Sequence, residues 1–182
     1  MMPISYSRSR VLLHWLSAVI ILWTLASGFY VAYAPVSAAV EHGVGSFNVS
    51  LTTLFIPFFL WRTWLFIREL KHRGTAPSLN KRLAFVVHAM IYLTISVVLV
   101  TGVLMMKTAI SVFGFVRIPQ PLSDPAPIAL ANAIHTEACV VLLGLVALHL
   151  CAVLWHEFSG RRIVRRMSIG RSPSVSLQRG HR

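Results

Sequence analysis

Four long apolar stretches dominate the chain, and polar or charged residues gather between them and at both ends. The stretches run over about 11–33, 48–67, 83–106 and 128–158. The first three are near the roughly 20 residues that an α-helix needs to cross the hydrocarbon core of a bilayer, and the fourth is longer. The pattern therefore predicts an all-α fold, an integral membrane four-helix bundle.

Composition agrees with this interpretation. Hydrophobic residues make up 56% of the chain and charged residues 12%, which leaves too little polar surface to cover a soluble domain. We expect one four-helix transmembrane domain over residues 1–168, followed by a basic, disordered cytoplasmic tail over 169–182. The outer segment "FGFVRIPQPLSDPAPIA", with its four prolines, is predicted to pack as an irregular lid.

The chain carries 17 Lys plus Arg against five Asp plus Glu, a net charge of +12. All but three of these cations flank the same side of the predicted spans: Arg8, Arg10, Arg68, Lys71, Arg73, Lys81, Arg82, Arg161, Arg162, Arg165, Arg166, Arg171, Arg179 and Arg182. Lys107 and Arg117 lie on the other side. The positive-inside rule then places both termini in the cytoplasm. The charge is explained by topology and by contact with anionic membrane lipid, so no nucleic-acid partner is expected.

Five of the eight histidines fall in or at the ends of the predicted spans: His14, His88, His135, His149 and His156. An ionisable side chain at membrane depth is costly and by default marks a functional site. Any one of them could instead be a neutral imidazole that is hydrogen-bonded to a backbone carbonyl or a hydroxyl.

The spacing of the histidines indicates a cofactor. His135 and His149 are fourteen residues apart, which on a helix is about 1400° of rotation and roughly 21 Å of rise. They share one helix face, one near each leaflet, which suggests two stacked haems that are each completed by another helix. His14, near the cytoplasmic start of the first span, matches His149 in depth and could ligate the same iron.

Three further residues lie close to that inner level. His88 enters the third span there, and His156 is seven residues beyond His149, so several histidines compete for two axial positions. Arg62 lies one or two turns inside the cytoplasmic end of the second span. It could pair with haem propionates or extend to the lipid interface.

The residues "YSRSRVLLHWL", "HAMIYLTISVVLVTGVLMM" and the series His135, His149, His156 resemble the bacterial cytochrome b561 family over nearly the whole chain. These are small four-helix di-haem cytochromes of the inner membrane, and they include superoxide oxidase. The resemblance implies that His14 and His149 ligate a cytoplasmic-side haem b, and that His135 ligates an outer one with a histidine of the second helix. It also implies that His88 and His156 lie near a quinone site.

One position departs from the family pattern. Where the second-helix histidine is expected, fourteen residues before Arg62, the sequence has Asn48, and asparagine is not a usual axial ligand of haem iron. Either the outer haem is lost or another residue replaces the ligand. The nearest candidate is His42, but it shares a face with position 48 only if the stretch 43–46 is unwound. The sequence thus leaves open one haem or two.

These features favour a membrane electron carrier that passes electrons between an outer, periplasmic donor and ubiquinone in the bilayer. If the donor is superoxide, the chain is a superoxide:quinone oxidoreductase. One alternative is a cytochrome b anchor subunit for a separate periplasmic dehydrogenase or hydrogenase. A second is a small transporter without haem, whose histidines carry protons.

Overall fold

The computed structural model describes residues 8–70 and 79–161. The predicted tail at 169–182 and several of the cations that are predicted to be cytoplasmic lie outside these ranges. The elements in chain order are α1 (Arg8–Tyr33), α2 (Ala38–Leu70), α3 (Leu79–Leu104), β1 (Ile110–Val112), β2 (Val116–Ile118), α4 (Pro125–His156) and a π-helical turn (Glu157–Arg161).

The four helices are each long and apolar enough to cross a membrane, so the predicted all-α four-helix bundle is confirmed. Large apolar side chains remain exposed on the outside of the bundle, among them Leu12, Val19, Leu93 and Leu148, each more than half exposed. An apolar surface of this extent is unfavourable in water and is suited to lipid.

Helix α2 begins ten residues before the predicted start of the second span, at 38 rather than 48. Ser37 precedes it, and its hydroxyl accepts a hydrogen bond from the amide of Val40 at 3.4 Å, as an N-cap residue does. Glu41 lies in the first turn, where a carboxylate is favoured by the helix dipole. Hydropathy alone did not predict this ten-residue extension of α2, because the segment contains polar residues and many small ones.

The outer segment before α4 is partly regular, so the prediction of an irregular lid was wrong there. Strands β1 and β2 pair antiparallel, with Ile110 opposite Ile118 and Val112 opposite Val116. The turn between them has positive φ at Phe113 (49°) and at Gly114 (79°). Glycine adopts this conformation readily, and the reversal it allows permits the two short strands to pair.

The β-hairpin is attached to α2 through one buried hydroxyl. Ser50 is 2% exposed, and its Oγ lies 2.9 Å from the carbonyl of Ser111. The same oxygen accepts from the amide of Phe113 at 3.2 Å. Ile110, also 2% exposed, points into the bundle beside this contact. The hairpin therefore closes the outer end of the helices.

The helices pack chiefly as two pairs, α1 with α2 and α3 with α4, with a smaller contact between α2 and α3. All four contribute to one apolar core, formed by Ile20, Leu25, Phe55, Phe59, Ile95 and Leu142. This core lies at mid-depth. Along the helices it separates the inner histidines from His135, so the two ends of the bundle form separate sites.

Candidate functional site

At the inner end, each of the four helices contributes one polar side chain to a common cluster. His14 comes from α1, Arg62 from α2, His88 from α3 and His149 from α4. Arg62, His149 and His88 all lie within electrostatic range of His14. The structure thus brings together four of the residues that the sequence singled out, and we call them the inner cluster.

Within the inner cluster, His88 and His149 are in direct contact. Their ring centroids are 5.0 Å apart and their planes meet at 84°, an edge-to-face arrangement at van der Waals distance. This spacing leaves no room for a flat macrocycle between the two rings. In this arrangement His88 and His149 do not face each other across a macrocycle, and His14 is the third imidazole of the cluster.

The hydrogen bonds fix which ring nitrogens carry protons. Arg62 Nη2 lies 2.9 Å from His14 Nδ1, and because a guanidinium only donates, Nδ1 of His14 accepts. His88 has the opposite arrangement, since its Nδ1 donates to the carbonyl of Ala84 at 2.6 Å. In the neutral ring, Nε2 of His88 then carries the lone pair and can accept a hydrogen bond.

Aromatic rings hold Arg62 in place. Its guanidinium carbon lies 5.3 Å from the centre of the Tyr92 ring, a cation–π contact. Tyr92 in turn stacks on Phe66, with centroids 4.5 Å apart. Close by, Arg10 of α1 pairs with Glu69 of α2 at 2.9 Å. The part played by Tyr92 could not be predicted, because Tyr92 lies in an apolar run and no spacing rule singles it out.

His156 lies at the last position of α4, two turns beyond His149. Its Nδ1 is buried and has no hydrogen-bond partner among the described residues. A buried polar nitrogen without a partner is uncommon in folded proteins and calls for an explanation such as a ligand.

At the outer end, a cavity of about 310 Å³ lies between the helices and beneath Ile110 of the β-hairpin. This volume falls within the range of about 300–1,000 Å³ that is usual for small-molecule and cofactor sites. The walls are mainly apolar. Polar groups from three helices also line them: Thr24, Asn48, Thr52, Thr53, His135 and Thr136.

His135 is oriented by the neighbouring helix α3. Its Nδ1 lies 3.1 Å from the carbonyl of Val98 and 3.2 Å from the hydroxyl of Thr101. Nδ1 must donate to the carbonyl, so Nε2 carries the lone pair, the tautomer in which a histidine binds a metal. The Sγ of Cys139 lies 3.5 Å from that nitrogen.

The approach of His135 to α3 depends on Gly102. A Cβ at that position would lie 3.2 Å from Cε1 of His135, closer than an ordinary van der Waals contact. Gly102 also lines the cavity. Gly102 could not be singled out from the sequence, because a glycine within an apolar run is equally typical of ordinary helix packing.

The structure does not bring His42 to the outer cavity. Helix α2 is continuous through residues 43–46, so the unwound stretch that would carry His42 to the level of Asn48 is not formed. His42 is exposed and is absent from the lining of the cavity among the described residues. The expectation that His42 replaces the missing ligand is therefore corrected.

Asn48 does line the cavity, and it contacts α1. Its Nδ2 lies 2.9 Å from the Oγ of Ser27, and its Oδ1 lies 3.1 Å from the same oxygen. The Ser27 hydroxyl also lies 2.8 Å from the carbonyl of Trp23. A single hydroxyl proton cannot serve both of these acceptors, so Ser27 leaves part of the amide's hydrogen-bonding capacity unused.

No group of three or more His, Cys, Asp or Glu within residues 8–70 and 79–161 is arranged to hold a bare metal ion. An iron that is already held by a porphyrin needs only one or two protein ligands. The paired and single histidines fit that requirement.

Comparison with known proteins decides the class. The sequence model of prokaryotic cytochrome b561 matches residues 5–170. The chain belongs to the prokaryotic cytochrome b561 family. It is thus a multi-pass membrane protein that binds haem b and takes part in electron transfer. None of the curated proteins searched matches it.

Proposed function

We propose that this cytochrome b561 family member carries electrons between a donor at the outer face and a quinone in the cytoplasmic half of the bilayer. The observation that carries the proposal is the inner cluster, in which His14 and His149, from α1 and α4, accompany a guanidinium at one depth. The basic loops favour a cytoplasmic location, in the bacterial inner membrane, for this end and for both termini.

The donor set of the inner cluster fits haem b. His14 and His149 supply two imidazoles, and Arg62 supplies a cation that can pair with a propionate. When bound, haem b supplies reversible one-electron chemistry. The protein contributes the ligands, the fixed charge of Arg62 and the apolar core that keeps water from the bundle interior.

The quinone site lies beside this cluster in our proposal. Nε2 of His88 is free to accept a hydrogen bond, since its Nδ1 is engaged with Ala84. His156 has a buried Nδ1 with no partner among the residues described. Two such nitrogens near the level of the inner headgroups suit the oxygens of a ubiquinone ring, which needs hydrogen bonds and protons as it is reduced.

On the outer side we propose superoxide as the donor, which would make the protein a superoxide:quinone oxidoreductase. Lys107 lies just before the β-hairpin that closes the outer cavity, Arg117 lies on its strand β2, and both are exposed. Fixed positive charge attracts a small anion and raises its rate of encounter. The paired change Lys107→Gln plus Arg117→Gln should slow haem reduction by superoxide and remove its dependence on ionic strength.

The test of the proposed function is a reduced-minus-oxidised spectrum of the full chain purified in detergent, followed by oxidation with ubiquinone. We expect the sharp α-band of a low-spin b haem, which paired imidazoles produce, and its loss when ubiquinone is added. A folded but colourless preparation would overturn the proposal. A haem that ubiquinone does not oxidise would overturn the assignment of the acceptor.

A further inference from the structure

The outer cavity has one histidine where a haem with two histidine ligands needs two. His135 presents Nε2 in the metal-binding tautomer, because Val98 fixes the proton on Nδ1. The position of the second expected ligand is occupied by Asn48, and His42 lies outside the cavity lining. A neutral amide is a poor ligand for haem iron.

The cavity nevertheless keeps the other features of a cofactor site. Its volume of about 310 Å³ is of cofactor size, and the glycines Gly28, Gly45 and Gly102 line it. Gly102 allows His135 to pack against α3 at 3.2 Å from where a Cβ would lie.

Asn48 offers hydrogen bonds in place of a ligand. Its amide has two N–H donors, and only one of them can be directed at Ser27. The Ser27 hydroxyl is itself hydrogen-bonded to the carbonyl of Trp23 at 2.8 Å. The contact with Ser27 therefore helps to fix the orientation of the Asn48 amide. In haem proteins with one histidine ligand, the polarity and donors of the opposite pocket decide which small molecules bind.

We propose that the outer cavity binds a second haem through His135 alone. Asn48, which is hydrogen-bonded to Ser27, does not ligate the iron. It lines a pocket in which a diatomic or small anionic molecule can bind the iron instead. This inference rests on the proposed function, because it assigns a second haem to the same cytochrome. It adds a ligand-binding site to a protein otherwise expected to carry only electrons.

The test uses carbon monoxide on the reduced, full-length protein, with the haem content measured per chain. An inner haem ligated by His14 and His149 has no free position and will not react. We expect two haems per chain, of which about half respond to carbon monoxide. His135→Ala should remove the responsive half and leave the low-spin α-band, which also reports that the variant is folded.

Asn48→His is the decisive variant, because it restores the missing imidazole. The haem content should stay at two per chain while the response to carbon monoxide falls at least tenfold. Asn48→Leu covers the case in which Asn48→His does not fold. It should keep the response to carbon monoxide, but azide should bind the oxidised protein about tenfold more weakly, as expected for the loss of one hydrogen bond.

The outcomes separate this inference from the proposed function. One haem per chain, lost in His14→Ala, would overturn the inference and leave the electron carrier intact. Two haems of which neither binds carbon monoxide would also overturn it, since another side chain would then be the second ligand of the outer iron. A response that survives in His135→Ala would show that a different histidine is the ligand. A colourless protein would overturn both proposals.

Discussion

Arg62 donates a hydrogen bond to Nδ1 of His14 over 2.9 Å, and this places the histidine's proton on Nε2. Ligation of iron through Nε2 requires the other tautomer, with the proton on Nδ1. Arg62 must then release His14, and a propionate is a stronger partner for a guanidinium than a neutral imidazole. The contact therefore links the position of Arg62 to the occupancy of the inner site.

Arg62→Leu should keep the inner haem but lower its midpoint potential, because a nearby positive charge favours the reduced, less positive form. One charge in a medium of intermediate dielectric constant corresponds to a shift on the order of 50 mV. A redox titration measures it. Arg68→Leu is the matched control, since Arg68 is on the same helix and its guanidinium lies over Trp64. Equal shifts in both variants would contradict a specific role for Arg62.

His14→Ala and His149→Ala should each remove the same low-spin haem, because the loss of either imidazole leaves the iron without one of its two ligands. Haem content and the height of the α-band provide the measurement. His88→Ala should retain this haem, since the His88 ring touches His149 at 5.0 Å with no room for a macrocycle between them. If His88→Ala removes it and His14→Ala does not, the ligand pair is His88 with another residue.

The double change His88→Phe plus His156→Phe should leave the haem spectrum unchanged and slow haem oxidation by ubiquinone on the order of a hundredfold, the lower range for losing a positioned acid or base. Stopped-flow absorbance follows the reaction. His42→Phe serves as the control, because this histidine is exposed at the other end of the bundle. Oxidation at the original rate in the double variant would mean that the quinone docks elsewhere.

Ser50→Ala should loosen the β-hairpin from α2. The amide of Phe113 and the carbonyl of Ser111 would both lose their partner, and each such loss costs about 1–3 kcal/mol where the group is buried. Hydrogen exchange at the Phe113 amide should become at least about tenfold faster. Ser96→Ala is the control, since among the described residues the Ser96 hydroxyl donates to the carbonyl of Tyr92 in its own helix. Unchanged exchange in Ser50→Ala would show that apolar packing alone holds the β-hairpin.

Gly102→Ala should destabilise the protein by about 1–3 kcal/mol, because the new methyl group would crowd the ring of His135. Thermal unfolding measures this loss, and the outer haem content should fall with it. Gly144→Ala, in α4, meets nothing within 4 Å and should be neutral or slightly stabilising, as alanine is in a helix. Similar unfolding temperatures for the two variants would show that a methyl group at position 102 does not crowd His135.

The four spans could be predicted because bilayer-length apolar runs have few alternative structures. Their ends could not, since capping decides them: Ser37 begins α2 in a polar turn, and Asp124 begins α4 by accepting from the amide of Ala126. The β-hairpin was also missed. Its turn needs positive φ at Phe113, which an aromatic residue adopts only when tertiary contacts such as Ser50 hold it.

For the site, spacing along a helix predicted which histidines share a depth. It could not predict which nitrogen of each ring carries the proton, because that depends on partners from other helices, such as Val98 for His135 and Arg62 for His14. The roles of Ser27 and Gly102 could not be predicted from the sequence for the same reason. Their importance comes only from what lies opposite them across a helix interface.

The division of the bundle into two helix pairs has a consequence for biogenesis. His14 and Arg62 belong to the first pair to be synthesised, and His88 and His149 to the second. Lipid provides no hydrophobic force to bring inserted helices together, so the proposed ligation across both pairs would contribute to their association. We therefore expect haem supply to control the lifetime of the chain: without the cofactor, its two halves would stay separable and be exposed to membrane proteases.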